Sequence, residues 1–320
     1  MTIATTTFTR FDAIGVREQL SNVISNISPV ETPILTNAKK GKAKNTLFEW
    51  QTDTLATAVS SNQQIEGDEL TTYTAVVPTV RLGNYCNISR KDGSVSRTAQ
   101  MVDSAGNANN KGYLIAKLGK ELKRDMETGL GANLGAAAGS TSSARKSAGL
   151  PAFIKTNTSF PSGDGVAPVY TSIPTDVWTE GTSRAFTETI TKDVLQSCYT
   201  QGADTSTIMV GAFNKQAFSA FSGVVELMNQ TGRKAATVIG AADSYVSDFG
   251  MLKVVPNRFM DQSMALFIDW DAVQVNYLDP FRKTDLAKTG DADKFLLTAE
   301  WGLQVSNEKA LGIAVGLTIS

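Results

Sequence analysis

The sequence predicts an α+β fold, and three observations carry that prediction. Between Lys111 and Leu130, Leu114, Leu118, Leu122, Met126 and Leu130 recur every four positions with Ile115 alongside, the spacing of one helical stripe. Elsewhere the apolar residues alternate, as in Phe48 and Trp50, in Val273, Val275 and Tyr277, and in Trp301, Leu303 and Val305, which is the two-residue period of a strand. No period of about twenty to fifty residues recurs, so a solenoid or propeller is excluded.

The helix at 111–130 would run roughly 30 Å at about 1.5 Å per residue. Its remaining surface is charged: Lys117, Lys120, Glu121, Lys123, Arg124, Asp125 and Glu127. Lys117 with Glu121, and Lys123 with Glu127, stand four apart and can pair, each for a few tenths of a kcal/mol. Gly129 and Gly131 are expected to end the helix as residues that tolerate left-handed geometry.

Composition excludes more than it selects. At 320 residues and 42% hydrophobic content the chain can bury a sizeable core. Its apolar runs all fall short of a membrane span, so no membrane association is expected. The start, MTIATTTFTRFDAIG, lacks a signal peptide's apolar core and reads as the true N-terminus. The 30 basic and 31 acidic residues nearly cancel, without the basic excess of a protein that grips DNA directly. The absence of histidine removes the commonest general base and metal ligand. Cys86 and Cys198 lie far apart and form no CxxC cluster, so they read as small buried hydrophobes of a chain made in a reducing cytoplasm. No cofactor, metal or catalytic set is expected.

Taken in order, residues 1–36 scatter the apolar anchors Phe8, Phe11, Ile14 and Val16 through a polar background. A short helix is expected over Val16–Ile27, and Pro29 and Pro33 should then force an extended path. An arm that waits for a neighbouring subunit accounts for the anchors. Lys39, Lys40, Lys42 and Lys44 form a basic cluster before the strand TLFEWQTDT. A second strand is expected from about Thr71 to Ile88, with Val76, Val80, Leu82, Cys86 and Ile88 pointing one way and Pro78 marking an edge or a break. The polar link between them carries Glu66, Asp68 and Glu69. Together these read as a long two-stranded ribbon with an acidic tip and a basic root. Such a ribbon is marginal alone and needs something to rest on.

After the helix, GANLGAAAGSTSSARKSAG has the composition of a flexible connector and marks the main boundary; it lacks the spacing of a phosphate-binding loop. Beyond it come a helix at Ile190–Gln201, a buried strand STIMVG, and a helix start with Phe213, Phe218 and Phe221 as core. Further strands follow in GMLKVVPNRFMD and SMALFIDWDAVQVNYL. The last stretch reads as two strands joined at Ser306-Asn307-Glu308, returning to complete a sheet begun earlier.

This order of parts resembles the tailed-phage major capsid proteins with the HK97-like fold. FDAIGVREQLSNVISNISPVETPILTNAKKGKAKNTLFEWQTDTL is similar to their N-arm and the rising strand of their extended loop. KELKRDMETGL is similar to the spine helix, GLPAFIKTN to the entry of the axial domain, and DKFLLTAEWGLQVSNEKALGIAVGL to the closing strands. The resemblance implies an N-terminal arm at 1–38, an extended β-hairpin loop at 39–90, a peripheral domain with a long spine helix at 91–150, an axial domain at 151–265 and return strands at 266–320. It implies a structural protein, not an enzyme, whose copies form pentamers and hexamers of an icosahedral shell around double-stranded DNA, enclosed without sequence-specific binding. It further implies a separate scaffolding protein, a portal, a decoration protein and assembly in the host cytoplasm. An encapsulin-like cellular shell of the same fold, or an extracellular surface or filament protein, remains as an alternative reading.

A shell protein needs matching surfaces rather than an active site. The expected inter-subunit residues are the arm anchors Phe8 and Phe11, the ribbon's Trp50, the acidic tip Glu66, Asp68 and Glu69, and two basic receptors for that tip. The receptors are the root (Lys39, Lys40, Lys42, Lys44) and the helix face (Lys120, Arg124).

Overall fold

The computed structural model describes residues 31–69, 73, 75–102, 109–221, 244–288 and 290–320. Phe8, Phe11 and the helix expected over Val16–Ile27 lie outside the described residues.

The chain enters through α1 (Pro33–Asn37) and β1 (Lys39–Lys42), then forms β2 (Leu47–Thr52), β3 (Val80–Tyr85) and β4 (Asn87–Ser96). Two helices follow, the short α2 (Arg97–Met101) and the long α3 (Asn110–Gly131), then α4 (Leu150–Phe153) and β5 (Thr158–Ser159). The next elements are α5 (Glu188–Thr200), β6 (Thr207–Val210), α6 (Ala212–Ser219), β7 (Ser244–Ser247), β8 (Gly250–Pro256) and β9 (Ala265–Ile268). Two long strands, β10 (Val273–Leu286) and β11 (Ala292–Val305), precede the short β12 (Leu311–Ala314).

Three sheets result: a four-stranded one in the order β1-β10-β11-β4, a six-stranded one in the order β5-β12-β9-β6-β8-β7, and the pair β2-β3. The six-stranded sheet is covered on both faces, and its central strands β12, β9 and β6 are buried at every position. Ile208, Val210, Ala265, Phe267 and Ala314 face one cluster with Val194, Leu195 and Cys198 of α5. Met209, Leu266, Ile268, Leu311 and Ile313 face the other, with Leu122, Met126 and Leu130 of α3 and Trp301 of β11. The two-residue alternation divides each strand between these cores, and full burial of each large side chain contributes about 1.5–3 kcal/mol. The second core therefore ties the sheets together through α3.

Several expectations are corrected. Pro33 does not extend the chain but opens α1, where its fixed φ and missing N–H suit the first helical position. The second ribbon strand is Val80–Tyr85 rather than Thr71–Ile88, so only six residue pairs form, from Leu47–Tyr85 to Thr52–Val80. Pro78 brings no N–H, and no described residue of 53–79 lies in a strand. Leu82 and Cys86 are buried as expected, while Val76, Val80 and Ile88 are exposed. Two strands do meet at the Ser306–Glu308 turn, but they belong to different sheets: β11 pairs with β4 and β10, and β12 with β9 and β5. The chain does return to complete sheets begun earlier. Phe213 is 42% exposed, leaving Phe218 and Phe221 as core.

The glycine-rich stretch after α3 is a packed loop rather than a free connector. Ala137 and Lys146 exchange both backbone hydrogen bonds at 3.0 Å, and Ala136 and Ala148 are buried. The Ser147 hydroxyl accepts from Leu303 N–H and from the Asn84 side chain. Small residues are needed there because little room is left: a Cβ at Gly135 would lie 2.1 Å from the Thr175 carbonyl.

Candidate inter-subunit surfaces

Two features of the described surface stand out, an exposed loop and a lined groove.

The loop runs between β2 and β3. Leu55, Val59, Ile65, Tyr73, Val76 and Val77 are all exposed along it, Leu55 almost completely. Scattered surface apolar residues are ordinary, but six on one unpaired stretch ask for a covering surface. At its tip the Asp68 N–H donates to the Ile65 carbonyl at 3.1 Å, closing a four-residue turn. Gly67 takes φ +84°, the positive value a type II turn requires at its third position. The turn thus presents exposed Ile65, Glu66, Asp68 and Glu69 on a preformed bend.

The two expected receptors for this tip differ. The root lysines are not the base of the ribbon: Lys39–Lys42 form β1, an edge strand running parallel to β10 in register with Gln274–Tyr277. Lys39 is already used, its ammonium 2.7 Å from Asp271, and this contact holds the Asp271 carboxyl below the usual aspartate range. Lys40, Lys42 and Lys44 are exposed. Trp50, expected at an interface, is half-buried against its own subunit. Its Nε1 donates to the Val305 carbonyl at 2.8 Å and its ring lies between Phe48 and Phe153.

On α3 the helical stripe is real but unevenly covered. Leu122, Met126 and Leu130 are buried, whereas Leu114, Ile115 and Leu118 are half-buried. Beside that first half lies a groove of about 470 Å³ between α3 and the outer part of β10 and β11. Ile115, Ala116, Leu122, Phe281 and Leu297 line it, and Lys120, Lys123, Arg282 and Lys283 stand around it. Arg282 pairs with Asp279 and Lys283 with Asp285, while Lys111 takes the other oxygen of Asp285. These contacts hold the Asp285 carboxyl low. Lys123 lies 5.9 Å from the centre of the Phe281 ring. Arg124 turns away and covers Phe259, 5.2 Å from that ring's centre.

The second half of α3 does a different task. Glu127, expected to pair with Lys123, is buried and accepts the backbone N–H groups of Ile34 and Leu35, both at 2.8 Å, and the Asn257 amide at 2.8 Å. It caps α1, whose own Thr32 offers no capping side chain. Burial raises the Glu127 carboxyl above the usual glutamate range by more than these three donors lower it. The carboxylate therefore fixes where the chain leaves residues 1–30 against the long helix. Pattern reading missed it because a Glu four residues from a Lys on a charged-looking helix face reads as solvated.

The remaining chemistry is sparse. Among the described residues no group of three His, Cys, Asp or Glu could hold a metal ion, and no helix is long and apolar enough to cross a membrane. Cys86 and Cys198 are buried, and burial pushes both thiols up to about 11.

Comparison with known proteins identifies the family. The major capsid protein of Escherichia phage Phieco32 is 28% identical over 346 residues, covering 96% of each chain. The cyanophage A-1(L) capsid asymmetric unit superposes with a TM-score of 0.71 at 14% identity, covering 97% of this chain and all of that one. An encapsulin from Synechococcus elongatus shares the fold more distantly, with a TM-score of 0.56 at 9% identity over 95% of this chain and 94% of that one. The fold alone, HK97-like in each case, does not separate the two kinds of shell. The family model described as SU10 major capsid protein does, since it matches residues 1–318. The chain therefore belongs to the SU10 major capsid protein family and is a structural component of a tailed-phage capsid shell.

Proposed function

We propose that copies of this chain assemble as pentamers and hexamers into an icosahedral shell that encloses double-stranded DNA without reading its sequence. The exposed apolar loop between β2 and β3 carries this reading: it has a preformed acidic tip, and its apolar residues are left uncovered by the described residues. An extended element that crosses to a neighbour gives each subunit a large contact, and closed symmetry multiplies it. The near-balanced charge of the chain suits a container that must later release its contents. In this reading residues 1–38 are the arm, 39–90 the extended loop, 91–150 and 266–320 the peripheral domain and 151–265 the axial domain. A separate scaffolding protein, a portal and a decoration protein complete the head in the host cytoplasm, and the shell performs no catalysis. Phe8 and Phe11 are assigned to arm contacts, and the acidic tip to a basic surface on the next subunit.

The test is negative-stain electron microscopy of the protein expressed alone and together with the other head genes. Closed particles of uniform diameter in either sample are expected, with DNA inside particles made during infection. Monomers alone in both samples would overturn the reading.

A further inference from the structure

The six-stranded sheet ends in the hairpin of β7 and β8. A cavity of about 210 Å³ is lined from that hairpin, from the last turns of α5 and from the loop that follows α5. Sites for drug-sized molecules run to about 300–1,000 Å³, so this one suits a group of only a few heavy atoms.

Two aromatic rings give the cavity a rigid wall. Tyr199 of α5 and Phe249 of the hairpin stack with centroids 4.8 Å apart and planes 30° apart, yet they stay 62% and 41% exposed. Phe249 stands at the third position of the Ser247–Gly250 turn. The Ser247 hydroxyl fixes that turn, accepting the Phe249 N–H at 3.3 Å and donating to the Gly250 carbonyl at 2.9 Å. A pair so open to water gives up much of its burial, so packing within the subunit does not account for it. The buried Leu195 and Leu252 supply the rest of the apolar lining.

The electrostatics of the lining have one sign. No lysine or arginine lines the cavity, whereas Asp204 does. Asp204 pairs with no cation among the described residues. The C-terminal end of a helix carries roughly half a negative charge, and α5 has no basic residue in its last turn to offset it. Thr205 Oγ1, also in the lining, is buried without an oxygen or nitrogen partner; only the weakly bonding thiol of Cys198 stands beside it. A buried hydroxyl left this way is costly, and an entering N–H donor would satisfy it.

We propose that this cavity binds a small free alkylamine, its ammonium group against the Tyr199 and Phe249 rings, paired with Asp204 and donating to Thr205 Oγ1, and its alkyl carbons against Leu195 and Leu252. A cation within about 6 Å of an aromatic ring is attracted by the ring's negative face, and a charge-assisted hydrogen bond to a carboxylate is stronger than a neutral one. An anion is disfavoured by Asp204 and by the helix end. A neutral alcohol would satisfy Thr205 but would gain little from the carboxylate or the rings. The ligand bridges α5 and the hairpin, so binding stabilises the folded subunit by mass action. All of these contacts come from one chain, so the site does not depend on the shell.

The experiment titrates the full-length chain, unassembled and as particles, with butylammonium chloride and with 1-butanol, a neutral molecule of the same length, and follows the ligand by saturation-transfer NMR. Butylammonium should bind roughly tenfold or more tightly than 1-butanol, raise the melting temperature of the unassembled subunit and lose affinity as salt rises. Asp204→Asn and Phe249→Ala should each weaken butylammonium binding roughly tenfold. Asp204 is exposed and asparagine has its shape, so that variant decides the matter should Phe249→Ala not fold. Equal affinity for the amine and the alcohol, or unchanged affinity in Asp204→Asn, would overturn the proposal. Binding by the unassembled subunit that disappears in particles would overturn the assignment to a free ligand, since a neighbouring chain would then fill the cavity.

Discussion

The two halves of α3 carry the same apolar period and have different fates. From Leu122 onward the stripe is sealed against β11 and α1, with Leu122, Met126 and Leu130 each at most 1% exposed. Before it, Leu114, Ile115 and Leu118 are only half-covered and border an open groove. One half is the core of the subunit; the other is surface held in reserve. One rigid element thus spans a packed interior and a half-exposed surface.

The most direct way to break the comparison is to truncate the same residue type at each end. Leu130→Ala should destabilise the unassembled subunit by about 2–5 kcal/mol, because its site is fully packed and relaxes little. Leu114→Ala should cost less than about 1 kcal/mol, since a half-exposed leucine loses little burial and alanine is the better helix former. Urea denaturation of both variants measures the difference, and equal costs would mean that the first half is packed as tightly as the second.

Glu127 sharpens the contrast next. Glu127→Leu leaves the Ile34 and Leu35 N–H groups and the Asn257 amide without their acceptor, and each lost partner costs about 1–3 kcal/mol. We expect a loss of roughly 3 kcal/mol and early proteolysis near α1. The pH dependence has a definite sign. A carboxyl raised in the folded state contributes stability that is fully present below its unfolded value and is lost as pH rises through its folded value. The wild-type's advantage over the non-titrating Glu127→Gln should therefore shrink as pH climbs above the ordinary glutamate value of 4.5. The surface carboxyls Asp271, Asp285 and Asp293 run the other way. Held low by Lys39, by Lys283 and Lys111, and by Lys288, they contribute above the ordinary aspartate value of 3.8 and lose that contribution as pH falls. High salt weakens their part and spares that of Glu127, so thermal melts against pH at two ionic strengths separate the two.

Much of this architecture is legible in the sequence because it rests on periodicity. The long helix, the buried strand at Thr207–Val210, the helix at Glu188–Thr200 and the returning β11 and β12 follow from spacing alone. What spacing could not supply is pairing. Thr71–Ile88 alternates like a strand for longer than β2 can partner it, so only Val80–Tyr85 pairs with β2. Lys39–Lys42 reads as a charge cluster, yet its backbone completes a sheet whose next strand lies more than two hundred residues away. Of the expected contact residues, Glu66, Asp68, Glu69 and Lys120 are exposed, while Trp50 and Arg124 are half-buried and already touch their own subunit, at Val305 and Phe259. Local pattern names the side chain's chemistry; only tertiary packing says who has already claimed it.

The glycines of α3 give the smallest effect and the cleanest sign. Two glycines at the end of a helix suggest a left-handed terminus, yet neither Gly129 nor Gly131 takes a positive φ. Gly131 is glycine because Met260 is close: a Cβ there would lie 2.8 Å from the Met260 Cβ and 2.9 Å from its Cα. Gly131→Ala should therefore destabilise by about 1–3 kcal/mol through overpacking, against alanine's better helix propensity. Gly119→Ala meets no atom and should stabilise the unassembled subunit by about 0.5–1 kcal/mol. Opposite signs in parallel thermal melts would confirm that the fold needs Gly131 and does not need Gly119. If Gly119→Ala also slowed particle formation while raising the melting temperature, the extra methyl would be occupying space that a neighbour needs.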